Sequence, residues 1–219
     1  MNPQNALMRS FAKAALSAVL VLVIGTACFL ASFTCAKAAT PEGLEIYFID
    51  VEGGQSTLII TPDRHSLLID AGFAGDGSAF RLGDPHQARD ANRIVAAARD
   101  AGIRQIDYLL ITHFHPDHDG GVTELSQLMP IRTFIDHGDR SPQAASNVPE
   151  TTDAFNAYSI VRSKSRHLQP RVGGRLPLRD LEVIVVSSAG LTLAGPLPSA
   201  GATNAACERN MSMTLRHKA

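Results

Sequence analysis

Residues 112–121 read Thr-His-Phe-His-Pro-Asp-His-Asp-Gly-Gly, and three of the protein's eight histidines fall within this stretch. The apolar run 109–111 precedes it, which predicts that a buried strand carries the stretch to the edge of a sheet. Histidines 113 and 115 are two residues apart, so both imidazoles can point into one cavity and share one ion. Asp117 and His118 can serve a second ion close by. The spacing therefore predicts a metal centre.

Neutral imidazole combined with carboxylate suits zinc, and it also suits iron or manganese. We predict zinc, as two ions. Two ions about 4 Å apart can hold a hydroxide at neutral pH and polarise the bond that it attacks. The pattern therefore predicts hydrolysis by metal-bound hydroxide, and the alternative is a histidine cluster that holds no metal.

The segments around this stretch alternate between strand and helix patterns from Leu44 onward. Strand patterns cover residues 44–51, 57–61, 66–70, 106–112, 131–136 and 181–186, whereas helix patterns cover 84–102, 120–128 and a segment that begins near Glu150. Turn residues at Pro62 and Asp63 predict a hairpin between the second and third strands. The alternation predicts an α/β fold.

Several polar residues outside the central stretch are candidates for the site or for the surface. Asp70 ends a predicted strand, where it can cap the strand or support a ligand, and from this residue alone we predict the cap. His137 also follows a predicted strand and is a candidate for contact with metal or substrate. Asp90 is predicted on the solvated face of a helix. His167, within the basic stretch 163–171, is predicted at the solvated end of the last helix, and His217 is predicted at the surface.

The whole chain of 219 residues carries 20 basic and 21 acidic side chains, a formal net charge of −1. This balance provides no global field that would attract nucleic acid or an anionic membrane, so binding to a polyanion would need a local patch. The length suits one globular domain, which we predict over residues 39–219.

The first 38 residues have the pattern of an export signal. Arg9 and Lys13 precede an apolar run over 14–31, and Ala36-Lys37-Ala38 is a small-x-small cleavage site. We predict cleavage after Ala38 and a periplasmic or secreted protein. An uncleaved membrane anchor and a lipoprotein modified at Cys28 are the alternatives. Cleavage leaves only Cys207, which cannot form an internal disulfide.

Residues 112–121, preceded by the Leu-Leu-Ile-Asp-Ala-Gly run at 67–72, resemble the metal-binding signature and the strand-Asp-Gly motif of the metallo-β-lactamase fold hydrolases. Residues 44–51, 107–110 and 210–212 are similar to the hydrolase domain of the competence protein ComEC and its secreted relatives. The resemblance implies an αββα sandwich with the metals at one edge of two sheets.

The resemblance also implies roles for individual residues. His113 and His115 would bind the first metal, and Asp117 and His118 the second. Asp117 would be the catalytic residue that orients the attacking water. Asp70 would be the carboxylate that holds a ligand histidine in place, which replaces the strand-cap interpretation.

The sequence departs from the family pattern in two places. Residues 52–55 read Glu-Gly-Gly-Gln where ComEC-like chains carry Gly-Gln-Gly-Asp. We also find no segment that supplies the ligands of the second αβ half, so we expect only the N-terminal half and the start of the second. An exported metal-dependent hydrolase is therefore weighed against a truncated, non-catalytic fragment and a ComEC-type phosphodiesterase, with either a small molecule or a phosphodiester as substrate.

Overall fold

The computed structural model describes residues 43–78, 80–138, 150–198 and 200–201. The predicted export signal over 1–38, Cys207, the segment 210–212 and His217 lie outside the described residues.

The described residues form eight strands and four helices. The strands are β1 (Glu45–Phe48), β2 (Thr57–Ile60), β3 (Ser66–Ile69), β4 (Ile106–Leu110), β5 (Ile131–Ile135), β6 (Arg166–Leu168), β7 (Ser187–Ser188) and β8 (Leu191–Thr192). The helices are α1 (Arg89–Asp100), α2 (Pro116–Asp119), α3 (Val122–Leu128) and α4 (Thr151–Arg162).

The first six strands form one mixed sheet in the order β1-β2-β3-β4-β5-β6. Strands β1, β2 and β3 are antiparallel, which confirms the predicted hairpin between the second and third strands. Strands β3 to β6 are parallel. Because parallel strands end at the same edge, the residues that follow β3, β4 and β5 meet there.

One face of the sheet is covered by helices and forms the core. Side chains at alternate strand positions are fully buried there, namely Leu58, Ile60, Leu68, Leu109 and Phe134. They pack with apolar residues of α1, α3 and α4 in a single cluster. Each such side chain stabilises the fold by about 1.5 to 3 kcal/mol, and this packing fixes the strand ends that carry the polar residues.

The other face of the sheet is also apolar and is covered only in part. The side chain of Phe48 on edge strand β1 is 85% exposed. Nearer the centre, the hydroxyl of Tyr108 donates a hydrogen bond of 2.9 Å to the carbonyl of Pro177, so the segment after β6 lies against this face. The antiparallel pair β7 and β8 continues that segment.

Three local predictions were wrong. Helix α1 begins at Arg89 and not at Asp84, because Gln87 N donates to Asp84 O and closes a turn instead. Residues 181–186 form no strand beyond an isolated bridge between Arg175 and Ile184. The stretch 163–171 contains strand β6, so it is not the solvated end of α4.

Asp90 was predicted on the solvated face of its helix, but it is fully buried. Its carboxylate accepts a hydrogen bond of 2.8 Å from Phe73 N and pairs with the side chain of Arg89 at 2.7 Å. It therefore fixes the loop after β3 to helix α1.

The mixed sheet with helices on one face confirms the predicted α/β class. Within the described ranges, no helix has the length and apolar character needed to cross a bilayer.

Candidate metal centre

The ends of two neighbouring parallel strands bring Asp70 and Thr112 together. Asp70 follows β3 and Thr112 follows β4 by two residues, and the register pairs Ile69 with Leu110. Asp70 N donates a 2.9 Å hydrogen bond to Leu110 O. The chain then turns, because Asp70 has a φ of +58°, a left-handed conformation that Asp adopts more readily than most residues.

The buried carboxylate of Asp70 makes three hydrogen bonds to residues of the central stretch. Oδ1 accepts from Thr112 N at 2.8 Å, and Oδ2 accepts from Thr112 Oγ1 at 2.7 Å. Oδ2 also lies 2.8 Å from Nδ1 of His118, so this ring nitrogen donates to the carboxylate. In the neutral ring this arrangement places the proton on Nδ1 and leaves Nε2 available as a ligand, as in carboxylate–histidine–metal triads.

The four predicted ligands lie together beside this carboxylate. Nε2 of His113 lies 3.1 Å from Nδ1 of His115, and the rings of His113 and His118 are 4.0 Å apart between centroids. Nε2 of His118 lies 3.4 Å from Oδ2 of Asp117. The structure thus places His113 beside His115 and Asp117 beside His118.

The donor set fits a metal in chemistry and in pairwise spacing. At the metal–nitrogen distance of about 2.0 to 2.1 Å, two neighbouring donors of a tetrahedral zinc site lie roughly 3.3 Å apart. The two pairs, at 3.1 and 3.4 Å, match that separation. Among the residues that the structure describes, however, no three His, Cys, Asp or Glu side chains are already arranged around one point. The described donors therefore form two pairs and not a closed coordination shell.

The pKa values of His113 and His118 are shifted in opposite directions. Burial lowers the pKa of His113, and the neighbouring imidazoles of His118 and His115 lower it further, which favours the neutral ring that a metal needs. Burial also opposes protonation of His118. The hydrogen bond and charge of Asp70, with the charge of Asp117, outweigh it and raise the pKa of His118. A metal at His118 must therefore compete with a proton.

A loop after β1 contacts the backbone of the central stretch. Gln55 N donates a hydrogen bond of 3.1 Å to Asp117 O. A Cβ on Gly54 would lie only 2.5 Å from that same carbonyl oxygen, so only glycine fits there. Gly54 thus allows close approach of the Asp117 backbone.

Asp119 ends the short helix α2 and is a buried carboxyl group. It is 1% exposed, and neither carboxyl oxygen has a hydrogen-bond partner in the described part of the chain. Burial, with smaller contributions from the carboxylates of Asp70 and Asp117, raises its pKa to about 8, although its own backbone amide and His118 act in the opposite direction. The group therefore favours its protonated form at neutral pH in the metal-free protein.

A second polar cluster lies after β5, one strand further along the sheet. The buried carboxylate of Asp136 accepts hydrogen bonds from Tyr158 at 2.6 Å and from Arg162 at 3.0 Å. It also lies 3.0 Å from Nε2 of His167, which was predicted at the surface. Burial opposes ionisation of Asp136, but the bonds from Tyr158 and Arg162 prevail and lower its pKa.

His137 lies at the margin of the candidate centre. Its ring packs on that of Phe114, with 4.6 Å between centroids, and Phe114 stands between His113 and His115 in sequence. His137 is therefore adjacent to the central stretch through Phe114.

The sequence matches a known family over most of the described residues. The profile of the metallo-beta-lactamase superfamily matches residues 49–201. This range contains Asp70 and the whole central stretch. No curated protein matches the chain.

Several solved structures are similar to the chain. A metallo-beta-lactamase motif mutant from Cronobacter sakazakii is 25% identical, over 44% of this chain and 34% of that chain, with a TM-score of 0.31. The metallo-beta-lactamase SMB-1, solved with mercaptoacetic acid, is 20% identical over 66% and 52%, with a TM-score of 0.41. A putative metallo-beta-lactamase from Thermotoga maritima is 17% identical over 61% of each chain, with a TM-score of 0.36. The chain thus spans between about a third and three fifths of these proteins.

Proposed function

The chain belongs to the metallo-β-lactamase superfamily, and on this premise we propose that it is an exported, metal-dependent hydrolase. The observation that supports the proposal most strongly is the bonding of Asp70. One buried carboxylate holds Thr112 and His118 while two donor pairs lie beside it. A purely structural carboxylate would not need two pairs of potential metal ligands next to it.

We assign the donors by their contacts. His113 and His115 would hold one ion, and Asp117 and His118 a second, with zinc favoured over iron or manganese by the imidazole-rich set. A bound ion of this kind acts as a Lewis acid and makes water nucleophilic at neutral pH.

The chain's own side chains then have separate tasks in hydrolysis. Asp117, whose carboxylate is partly exposed beside Nε2 of His118, would orient the attacking water. Asp70 keeps His118 in the tautomer that presents Nε2. Thr112, bonded through N and Oγ1 to Asp70, fixes where the strand ends and the ligand loop begins.

The proposal is tested by an activity screen on the full chain. Purified protein loaded with zinc, iron or manganese is assayed with lactones, β-lactams and phosphodiesters, before and after chelation. We expect hydrolysis of at least one class that chelator abolishes and metal restores. A His113→Ala, His115→Ala double variant should lose it, whereas His86→Ala, at an exposed turn, should retain it. Absence of metal-dependent hydrolysis in every class contradicts the proposal.

Export is a separate part of the proposal. The basic start, the apolar run over 14–31 and the small-x-small site at 36–38 support it. N-terminal sequencing of the protein from the exported fraction should give a start at Ala39. A mature chain that still begins at Met1 contradicts cleavage after Ala38.

A further inference from the structure

An open cavity of about 530 Å³ lies at the edge of the sheet away from the candidate metal centre. Residues between 99 and 104, which precede β4, and residues 128–129, which precede β5, line it. Asp70 and the central stretch follow β3 and β4, and β3, β4 and β5 are parallel, so the cavity and the centre lie at opposite edges. The volume is within the range of about 300 to 1,000 Å³ that small-molecule sites occupy.

Three of the side chains that line the cavity are apolar. Ile103 and Met129 are buried, and Leu128 is partly buried and packs against the core. Gly102 also lines the cavity and adds no side chain; a Cβ there would meet only the side chain of Arg64, at 3.8 Å. The hydrocarbon part of a ligand can therefore contact aliphatic carbon here and leave water.

Two arginines, Arg99 and Arg104, give the cavity its charge. Both are exposed, and neither side chain forms a hydrogen bond or an ion pair within the part of the chain that the structure describes. None of the described residues that line the cavity is acidic. The neighbouring carboxylate of Asp100 accepts a hydrogen bond of 3.3 Å from the hydroxyl of Tyr47 on β1. The cavity therefore carries positive charge that no carboxylate in its lining neutralises.

The adjacent end of helix α1 does not use these two guanidinium groups. Basic side chains near a helix C-terminus commonly bond the last carbonyls of the helix. Here the carbonyls of residues 97–99 accept from the backbone N–H groups of residues 101–103, and the carbonyl of Ala101 accepts from Arg64. Both guanidinium groups thus remain available to a ligand.

We propose that this cavity binds a small amphipathic anion, in which a carboxylate or phosphate group is joined to a short hydrocarbon chain. The oxyanion would bond to Arg99 and Arg104, because a guanidinium presents a fork of N–H donors that matches both kinds of group. The hydrocarbon would contact Ile103, Leu128 and Met129. The inference does not depend on the proposed hydrolase function, since none of the candidate metal ligands lines this cavity.

NMR titration of the full ¹⁵N-labelled chain tests the proposal. With hexanoate or hexyl phosphate, the backbone amides of residues 102–104 and 128–129 should show saturable shifts, whereas those of residues 113–118 should not. The tighter of these two ligands identifies the charged group. Acetate and inorganic phosphate lack the hydrocarbon, and 1-hexanol lacks the charge, so each should bind about tenfold more weakly.

Substitution of the arginines tests their role separately. Arg99→Gln and Arg104→Gln should each weaken binding roughly two- to fivefold, which is typical of an exposed ion pair, and the double variant should weaken it further. Arg166→Gln is the matched control, because Arg166 is an exposed arginine on β6 outside the cavity lining. Its affinity should equal that of the wild type.

Three results would overturn the proposal. One is 1-hexanol or acetate binding as tightly as hexanoate, because charge and hydrocarbon would then not both contribute. The second is equal affinity in the Arg99→Gln, Arg104→Gln double variant and in Arg166→Gln. The third is the absence of saturable shifts at residues 102–104 and 128–129 with either ligand.

Discussion

Oδ2 of Asp70 lies 2.8 Å from Nδ1 of His118, although the two residues are 48 positions apart in sequence. The contact joins the end of β3 to the short helix α2, and it orients the imidazole so that Nε2 faces Asp117. The geometry of the candidate centre therefore depends on a residue outside the histidine-rich stretch.

The Asp70→Asn variant should reduce zinc affinity by about 10- to 100-fold. Asparagine keeps the size of the side chain and tolerates the φ of +58°, so the fold should persist while the negative charge on the His118 side is lost. Competition titration with a chromophoric chelator measures the change. The control is Asp180→Asn, an exposed residue with a φ of +54°. Equal zinc affinity in both variants would contradict the role of Asp70.

The Gly54→Ala variant should also weaken metal binding, by displacement of the Asp117 backbone. The new Cβ would lie 2.5 Å from Asp117 O, so the loop or the carbonyl must move. Gly43→Ala is the matched control, because a Cβ there meets nothing within 4 Å. We expect zinc affinity to fall about tenfold in Gly54→Ala only. An unchanged affinity, with the near-UV spectrum also unchanged, would show that Asp117 does not depend on this loop.

Several aspects of the site could be predicted from sequence and others could not. The spacing of positions 113, 115, 117 and 118 is local, so the nearness of these side chains could be predicted from it. Asp70 by itself was predicted as a strand cap, because one sequence does not show that β3 and β4 are parallel neighbours. Only the family resemblance implied that it supports a ligand, which agrees with its contact with His118.

The cluster at Asp136 shows what pattern reasoning missed. His167 was predicted at a helix end because its basic neighbours suggest solvent, yet it belongs to β6 and reaches Asp136 through the parallel pairing of β5 and β6. The sequence did contain a signal for this cluster. Tyr158 and Arg162 are four residues apart and thus share a helix face. An acidic residue at the end of a buried strand, such as Asp136, can bond to both side chains.

Asp119→Asn should stabilise the metal-depleted protein at high pH. The pKa of Asp119 is raised to about 8 in the folded state. Because the carboxyl pKa is higher in the folded state than in the unfolded state, where it is near 3.9, the group's contribution to stability is fully present below pH 3.9. This contribution is lost as the pH rises through about 8. Denaturant unfolding at pH 5 and pH 9 should show a loss of about 2 to 5 kcal/mol in the wild type that is absent in the variant. A parallel decline in both proteins would contradict this; Asp153→Asn, at an exposed position, is the control.

Tyr158→Phe should destabilise the fold by about 1 to 2 kcal/mol, because it removes the 2.6 Å hydrogen bond to buried Asp136. Tyr108→Phe, which removes a hydrogen bond to Pro177 O nearer the surface, should lower the free energy of unfolding by less.

The same cluster should make stability depend on pH. Because the pKa of Asp136 is lowered, its contribution to the free energy of unfolding is present above the unfolded carboxyl pKa and is lost as the pH falls. Urea unfolding between pH 3 and pH 7 measures both effects. An equal cost for the two tyrosines would contradict the importance of the Asp136 cluster.

The central claim is that residues 113–118 bind metal, and metal analysis of the purified mature chain tests it most directly. Elemental analysis after dialysis should find roughly one to two zinc, iron or manganese ions per chain. The His113→Ala, His115→Ala double variant should lose at least one of them, and His86→Ala should lose none. Much less than one ion in the wild-type chain, or stoichiometric metal retained in the double variant, would contradict the account.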